Sequence, residues 1–288
     1  MGLLLTLLYQ AFGKSNGELN MRYLAMIQAL YGDSKIENNQ VSSMESKVLA
    51  IIQARMSSTR LPGKVLRNLC GQPILNHIIQ RIRCVQSIDT IIIATSQNKS
   101  DDLIADFAQE NKIPCFRGSE MDVLDRYFQA AQSFKARPND IVMRLTADNP
   151  FVDPKVCEDL LSYFRGRGNS FSYAAASGYP LGVGAEVFTF RALREAHKNG
   201  RRPYEREHVT PYMYQEDQNF GKMISPEDYS SVRLTVDTEE DYKMAQIIYS
   251  ALYRPEKIFG FEEVINYLTK NPDVAAINKD VHQKQLGE

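Results

Sequence analysis

From Lys47 onward the apolar positions alternate between two periods. KVLAIIQ, DTIIIAT and DIVMRLTA are short, nearly continuous runs rich in β-branched residues, the pattern of strands covered on both faces. Between them lie stretches with helical spacing. PILNHIIQRIRCV is one, residues 100–109 are another, and residues 122–134 place Val123, Leu124, Tyr127, Phe128 and Ala131 on one face. PCFRG reads as a short strand and residues 156–164 as a helix. This βαβα order predicts an α/β fold: a doubly wound, mainly parallel sheet with helices on both faces and right-handed crossovers.

The second half is more mixed. Residues 171–175 and 185–190 read as strands around a Gly-Tyr-Pro-Leu-Gly-Val-Gly loop, and residues 204–215 as one helix. VRLTV, residues 232–236, reads as a further strand followed at once by Asp237. Thr238 is a good N-cap, with Asp241 at the capping-box position, for a helix running to about Leu252. Residues 261–268 supply a last helix. There is no internal repeat and no low-complexity tract.

Residues 1–45 break the pattern. Residues 3–12 are apolar, but no basic residue precedes them and the run is far too short to span a bilayer. No clear small-residue cleavage site follows. Residues 31–46 are polar and linker-like, and Met21 and Met44 are alternative starts. The expectation is an N-terminal appendage of unknown role over 1–45 and a catalytic domain over 46–288.

The charges nearly cancel, for a net charge of -1 in 288 residues, so neither a nucleic-acid coat nor a polybasic membrane anchor is indicated. Cys70, Cys84, Cys115 and Cys157 have no CxxC spacing. They read as reduced thiols of a cytoplasmic protein, without a zinc site or disulfide frame.

Against this neutral background one loop stands out. KVLAIIQ ends at Gln53-Ala54, and Arg55, Ser57, Ser58, Thr59, Arg60, Gly63 and Lys64 follow before Gly71-Gln72-Pro73 opens a helix. Cations and hydroxyls thus crowd a turn at the carboxyl end of a parallel strand, where open α/β sheets bind ligands. Arg offers a planar fork to phosphate oxygens and Lys a mobile point charge, so the loop reads as a polyphosphate cradle.

Asp148 and Asp237 each follow a predicted strand. Carboxylates at adjacent strand ends face one edge and can share a Mg²⁺, which takes oxygen ligands and keeps water and substrate phosphates. Metal and cradle together suit nucleotidyl transfer, in which charge on the α-phosphate is neutralised while a hydroxyl attacks.

Each member has a plainer reading. Asp237 serves as a helix-entry acid, Asp148 as turn chemistry before Asn-Pro, and the loop charges as solvated side chains. Their combination favours the functional reading. Glu186 either pairs with an arginine or holds an acceptor hydroxyl. His208, in Tyr-Glu-Arg-Glu-His, belongs either to a helix-surface network or to an acceptor site.

IIQARMSSTRLPGK resembles the N-terminal signature of the cytidylyltransferases that make CMP-activated 3-deoxy-manno-octulosonate and CMP-sialic acids. FRGSEMDVLDRY, RLTADNPFVDP, EVF, YEREHVTPY and RLTVDTEEDY extend the likeness to the subfamily of spore coat polysaccharide biosynthesis protein SpsF, from about Lys47 to Lys279. The resemblance implies a Rossmann-like fold of the nucleotide-diphospho-sugar transferase type. It implies CTP as donor, contacted by Arg55, Arg60 and Lys64, with Ser58 and the loop backbone at Ala54 in support. It implies Mg²⁺ at Asp148 and Asp237, and nucleotide contacts around Gly118, Ser119 and Asp122. Arg144, Glu186, Arg206, Glu207 and His208 complete the expected substrate side, and in many members that half also forms a homodimer contact. Gln53 stands where the sialic acid enzymes usually have Pro, and Ala147-Asp148-Asn149-Pro150 where the octulosonate enzymes have a Gly-Asp-Glu-Pro type block. The departures leave the acceptor and the base preference open.

The expected function is therefore Mg²⁺-dependent transfer of CMP from CTP to an acidic sugar or related hydroxylated acceptor, for surface polysaccharide assembly. A glycosyltransferase using a nucleotide sugar is the first alternative, although no Asp-x-Asp motif stands at a strand end. A non-catalytic nucleotide-binding subunit is the second. Neither alternative predicts pyrophosphate release.

Overall fold

The structure is a computed structural model and describes residues 46–167, 170–216 and 220–283. The expected appendage, residues 1–45, lies outside the described residues. In chain order the strands are β1 (Val48–Gln53), β2 (Asn68–Leu69), β3 (Gln72–Pro73), β4 (Thr90–Ser96), β5 (Cys115–Gly118), β6 (Ile141–Thr146), β7 (Tyr173–Ser177), β8 (Glu186–Thr189) and β9 (Gly221–Ile224). β2 and β3 form a small hairpin. The other seven form one sheet in the order β5-β4-β1-β6-β8-β7-β9.

The β-branched runs take the centre. β1 pairs in parallel with both β4 and β6, as a strand that is apolar on both faces requires. Val48, Ala50 and Ile52 point into one core layer with Met143 and Leu145 of β6. Leu49 and Ile51 point into the other, beneath Leu124, Tyr127 and Ala131 of the helix Val123–Ser133. That helix is the amphipathic segment expected at 122–134, and Asp122 caps it by accepting from the Asp125 amide.

β8 alone runs against its neighbours: it is antiparallel to β6 and to β7. The reversal brings its first residue, Glu186, to the carboxyl edge of β6, in register with Arg144. On the Leu49–Ile51 face the period of two then continues into polar residues at this edge: Gln53 on β1, Arg144 and Thr146 on β6, Glu186 on β8. The sheet is apolar along its length and polar where a ligand would meet it.

Two expectations need correction. Residues 232–236 form no ladder strand; Arg233 makes only an isolated bridge with Leu181. The segment is extended but bonds to loops, with Leu234 N donating to Leu181 O and Val236 N to Asp148 O. The single helix expected over 204–215 is two, Pro203–His208 and Pro211–Glu216. Pro211 disfavours helical backbone at the residue before it, and Val209 takes φ 73, so the first helix ends there. The helix Phe190–Asn199 and the strand β9 were not expected at all. Among the described residues no helix is long and apolar enough to cross a membrane, and the four cysteines are free.

Candidate active site

The loop after β1 is wound around one carbonyl. Met56 O accepts from the amides of Ser58 (2.9 Å) and Gly63 (3.0 Å), while Met56 N donates to Asp101 Oδ1 (2.7 Å). Gly63 closes the turn at φ 67, in the left-handed region that favours glycine, and so starts the short helical turn Lys64–Leu66. The amides of Ser57, Thr59 and Arg60 donate to no protein group among the described residues. A basic loop with undonated amides is a fitting seat for an anion.

Lys64 is buried at the root of this loop. Its Nζ lies 2.9 Å from Asp148 Oδ2 and 2.6 Å from Asp237 Oδ1. The two acids thus converge on a single cation, though they come from segments 89 residues apart in sequence (237 − 148). A direct backbone bond, Val236 N to Asp148 O at 2.8 Å, sets that convergence, rather than two neighbouring sheet strands. Thr146 Oγ1 donates to Asp148 Oδ1 at 2.5 Å and orients that carboxylate.

Asp237 is held by three cations: Lys64, Arg233 Nη2 at 2.8 Å and Arg60 Nη2 at 3.3 Å. Arg233 is anchored in turn by Asp241, whose Oδ2 also accepts from the Asp237 and Thr238 amides at the helix start. Burial pushes the Asp148 carboxyl up, but the Lys64 ammonium and the Thr146 hydroxyl outweigh it and hold the pKa below the ordinary value. Burial likewise lowers the Lys64 ammonium, and the two carboxylates outweigh it, leaving the pKa raised.

A cleft of about 220 Å³ opens over these groups, lined by Arg55, Ser58, Arg60, Lys64, Asp148 and Asp237 together with Glu207 and His208. Burial pushes His208 below the usual imidazole value, against the pull of Glu207. These eight expected site residues are therefore gathered in one place.

The others are not. Ala54 is buried and its amide donates to Ala94 O. Gly118 packs against Phe116 and the stem of Arg126, where a Cβ would come within 2.9 Å and 3.2 Å. Ser119 Oγ accepts from the Asp122 amide. Asp122 receives Arg206 Nε at 3.0 Å and Nη2 at 2.5 Å, and Arg206 Nη1 donates to His197 O. Ser119, Asp122 and Arg206 thus brace one helix start outside the cleft lining. Glu186 pairs with Arg144 Nη1 at 2.5 Å, as their register dictates, and the two line a neighbouring hollow.

Sequence reasoning missed Arg233, Thr146 and Glu120. Arg233 stands four residues before Asp237, a spacing that signals nothing outside a helix. Glu120 accepts from Ser57 Oγ at 2.5 Å, tying the 119–122 turn to the loop after β1.

The donor set suits a hard divalent cation. Two carboxylate oxygens of separate segments already reach one positive centre, and oxygen ligands are what Mg²⁺ takes. No group of three or more His, Cys, Asp or Glu residues that could hold a metal occurs among the described residues. A metal here would draw its remaining ligands from water and phosphate, its usual habit when bound by one or two carboxylates.

The chain matches the family model described as Cytidylyltransferase over residues 49–281. It is 34% identical over 238 residues to spore coat polysaccharide biosynthesis protein SpsF of Bacillus subtilis, covering 79% of this chain and 96% of the relative. A cytidylyltransferase structure from Leptospira borgpetersenii aligns with TM-score 0.75 at 30% identity, over 83% of this chain and all of the other. At 18% identity the fold also matches a CMP:2-keto-3-deoxy-manno-octonic acid synthetase complexed with CTP, with TM-score 0.57 over 72% of this chain and 100% of that one.

Proposed function

Because the chain belongs to the cytidylyltransferase family, we propose that it transfers CMP from CTP to an acidic sugar or related hydroxylated acceptor, releasing pyrophosphate, in surface polysaccharide assembly. The observation that carries this reading is the meeting of Asp148 and Asp237 at the Lys64 Nζ, in a cleft that Arg55 and Arg60 of the β1 loop also line, at the carboxyl edge of the sheet.

Arg55 and Arg60 offer forked donors to the triphosphate, and the undonated amides of Ser57, Thr59 and Arg60 add neutral ones. A Mg²⁺ held by Asp148 and Asp237 would neutralise charge on the phosphates. Lys64 then exchanges its carboxylate partners for phosphate oxygens and keeps its positive charge beside the leaving pyrophosphate. Thr146 fixes Asp148 throughout through its hydroxyl bond. Glu207 and His208 line the same cleft and offer the donors and acceptors a hydroxylated acceptor needs.

The test is pyrophosphate release from each of the four nucleoside triphosphates against a panel of sugar acids. CTP is expected to be turned over with at least one acid. A nucleotide-sugar donor would instead yield a nucleoside mono- or diphosphate, and that product in place of pyrophosphate would overturn the reading.

A further inference from the structure

Beside the phosphate cleft lies a second hollow of about 300 Å³, lined by Arg144, Thr146, Asn149, Tyr179, Glu186 and the 180–184 turn. Resting on the cytidylyltransferase reading, we propose that this hollow is the acceptor subsite. Arg144 there takes a carboxylate of a sugar-acid acceptor, and Glu186 is the residue that positions Arg144.

The hollow is in the right place. Thr146 lines both it and the phosphate cleft. Arg144 precedes Thr146 by two residues on the same face of β6, a step of about 7 Å. A sugar ring of ordinary size spans that step, with a hydroxyl near Asp148 and an acidic group near Arg144.

The hydrogen bonding shows which edge of Arg144 lacks a partner. Its Nη1 donates to Glu186, whereas its Nε is buried with no partner. Nη2 has none among the described residues either. Nε and Nη2 form one side of the guanidinium, the side that accepts both oxygens of a carboxylate in parallel. A buried donor without a partner carries a desolvation cost that a bound oxygen removes.

Glu186 is unsuited to the ligand role once considered for it. Its carboxylate already accepts from Arg144 Nη1, from Tyr173 Oη at 2.6 Å and from Thr210 Oγ1 at 2.9 Å. Three donors from separate elements fix it, and it in turn fixes Arg144. Arg206, the other arginine in question, is already engaged by Asp122 on both donors of its own fork. Among the described residues, Arg144 therefore lines the hollow with Nε and Nη2 still without partners, while the fork of Arg206 is filled.

The experiment uses the full chain with 3-deoxy-manno-octulosonate, its 8-amino-8-deoxy analogue and N-acetylneuraminate, each alongside its carboxamide. CTP affinity is measured by calorimetry, and acid binding to the CTP-loaded protein by saturation-transfer NMR and by pyrophosphate-release kinetics. The variants are Arg144→Gln, Glu186→Gln and the double R144Q/E186Q, which leaves no lone buried carboxylate if the single variant folds poorly. In wild type an acid is expected to bind better than its carboxamide. Arg144→Gln and the double variant should abolish that preference and weaken the acid by about ten- to a hundredfold, the value of charged hydrogen bonds. Glu186→Gln should raise KM for the acid with kcat little changed. CTP affinity should stay within about twofold in all.

Loss of CTP affinity in step with acid affinity would place Arg144 in the nucleotide site and overturn the proposal. So would an unchanged preference for acid over carboxamide. A wild-type protein that binds CTP but takes up none of the acids overturns this subsite and leaves the nucleotide reading intact. Failure to bind CTP removes both.

Discussion

Replacing Lys64 by Met removes one ammonium, keeps most of the apolar stem and leaves two carboxylates facing each other. In the native protein Nζ lies 2.9 Å from one and 2.6 Å from the other, with only 10% of the Lys64 side chain exposed. At an effective dielectric constant of about 20, each contact contributes about 6 kcal/mol of gross attraction. Desolvation of three charged groups offsets most of that sum. Breaking a buried pair costs about 3–5 kcal/mol. The lower figure applies here, because Asp237 keeps Arg233 and Arg60, and Asp148 keeps Thr146 and is 25% exposed. The expected loss is about 3 kcal/mol at neutral pH, a fall of about 1–2 M in the urea midpoint.

Its pH dependence follows from the pKa directions. In wild type Asp148 is depressed, so its contribution is present above the ordinary value of 3.8 and is lost as pH falls through the folded pKa. Lys64 is raised, so its contribution is present below 10.5 and is lost as pH rises through the folded pKa. In Lys64→Met, burial of Asp148 is opposed by the Thr146 hydroxyl without the ammonium, and its pKa rises. The gap between variant and wild type should therefore be widest at neutral pH and narrow toward pH 4–5. Nucleotide-free Lys64→Met should also be stabilised by Mn²⁺ where wild type is not, since two carboxylates then lack their resident cation. Urea titrations at pH 7 and pH 4.5, with and without Mn²⁺, read both effects. A variant as stable as wild type at pH 7, or a gap that does not narrow in acid, would refute the reasoning.

Asp148→Asn and Asp237→Asn should each nearly abolish pyrophosphate release while circular dichroism shows a folded protein; near-normal turnover in both would remove them from the site. Asp122→Ala removes a helix N-cap and the anchor of Arg206, so thermal or urea unfolding should show a loss of about 1 kcal/mol, with CTP affinity by calorimetry unchanged. Gly182→Ala places a Cβ at φ +96 and 2.8 Å from Thr235 N, in the segment leading to Asp237. It should cost about 1–3 kcal/mol and lower kcat as well, and a variant with wild-type melting temperature and kcat would show that the turn does not position the carboxylate.

Residue chemistry and periodicity were enough for the core of this protein. β1, β4 and β6 are legible because a strand buried on both faces has to be apolar almost throughout. The helix Val123–Ser133 is legible because its Val, Leu, Tyr and Ala recur at the helical period. The loop carrying Arg55, Arg60 and Lys64 is conspicuous because cations and hydroxyls cluster in a turn at the carboxyl end of such a strand, where open α/β sheets bind ligands. The strand-end positions of Asp148 and Asp237 also pointed to a shared place, and the fold brings both to Lys64.

What only the tertiary structure decided are the partnerships. Residues 232–236 have the composition of a strand, but their backbone bonds go to Leu181 and Asp148, which composition does not encode. Arg144 and Arg206 look alike in sequence. The reversal of β8 sets Glu186 beside Arg144 and leaves the Nε edge of its guanidinium without a partner, whereas the helix start at Asp122 closes on Arg206. Lys64 reads as a phosphate ligand, and the fold shows it as the cation that joins the two acids. A pairing depends on register and on which loop returns to which strand end, and a shift of one residue turns a side chain to the opposite face. Such choices are settled by the packing of the whole chain, and no local pattern carries them.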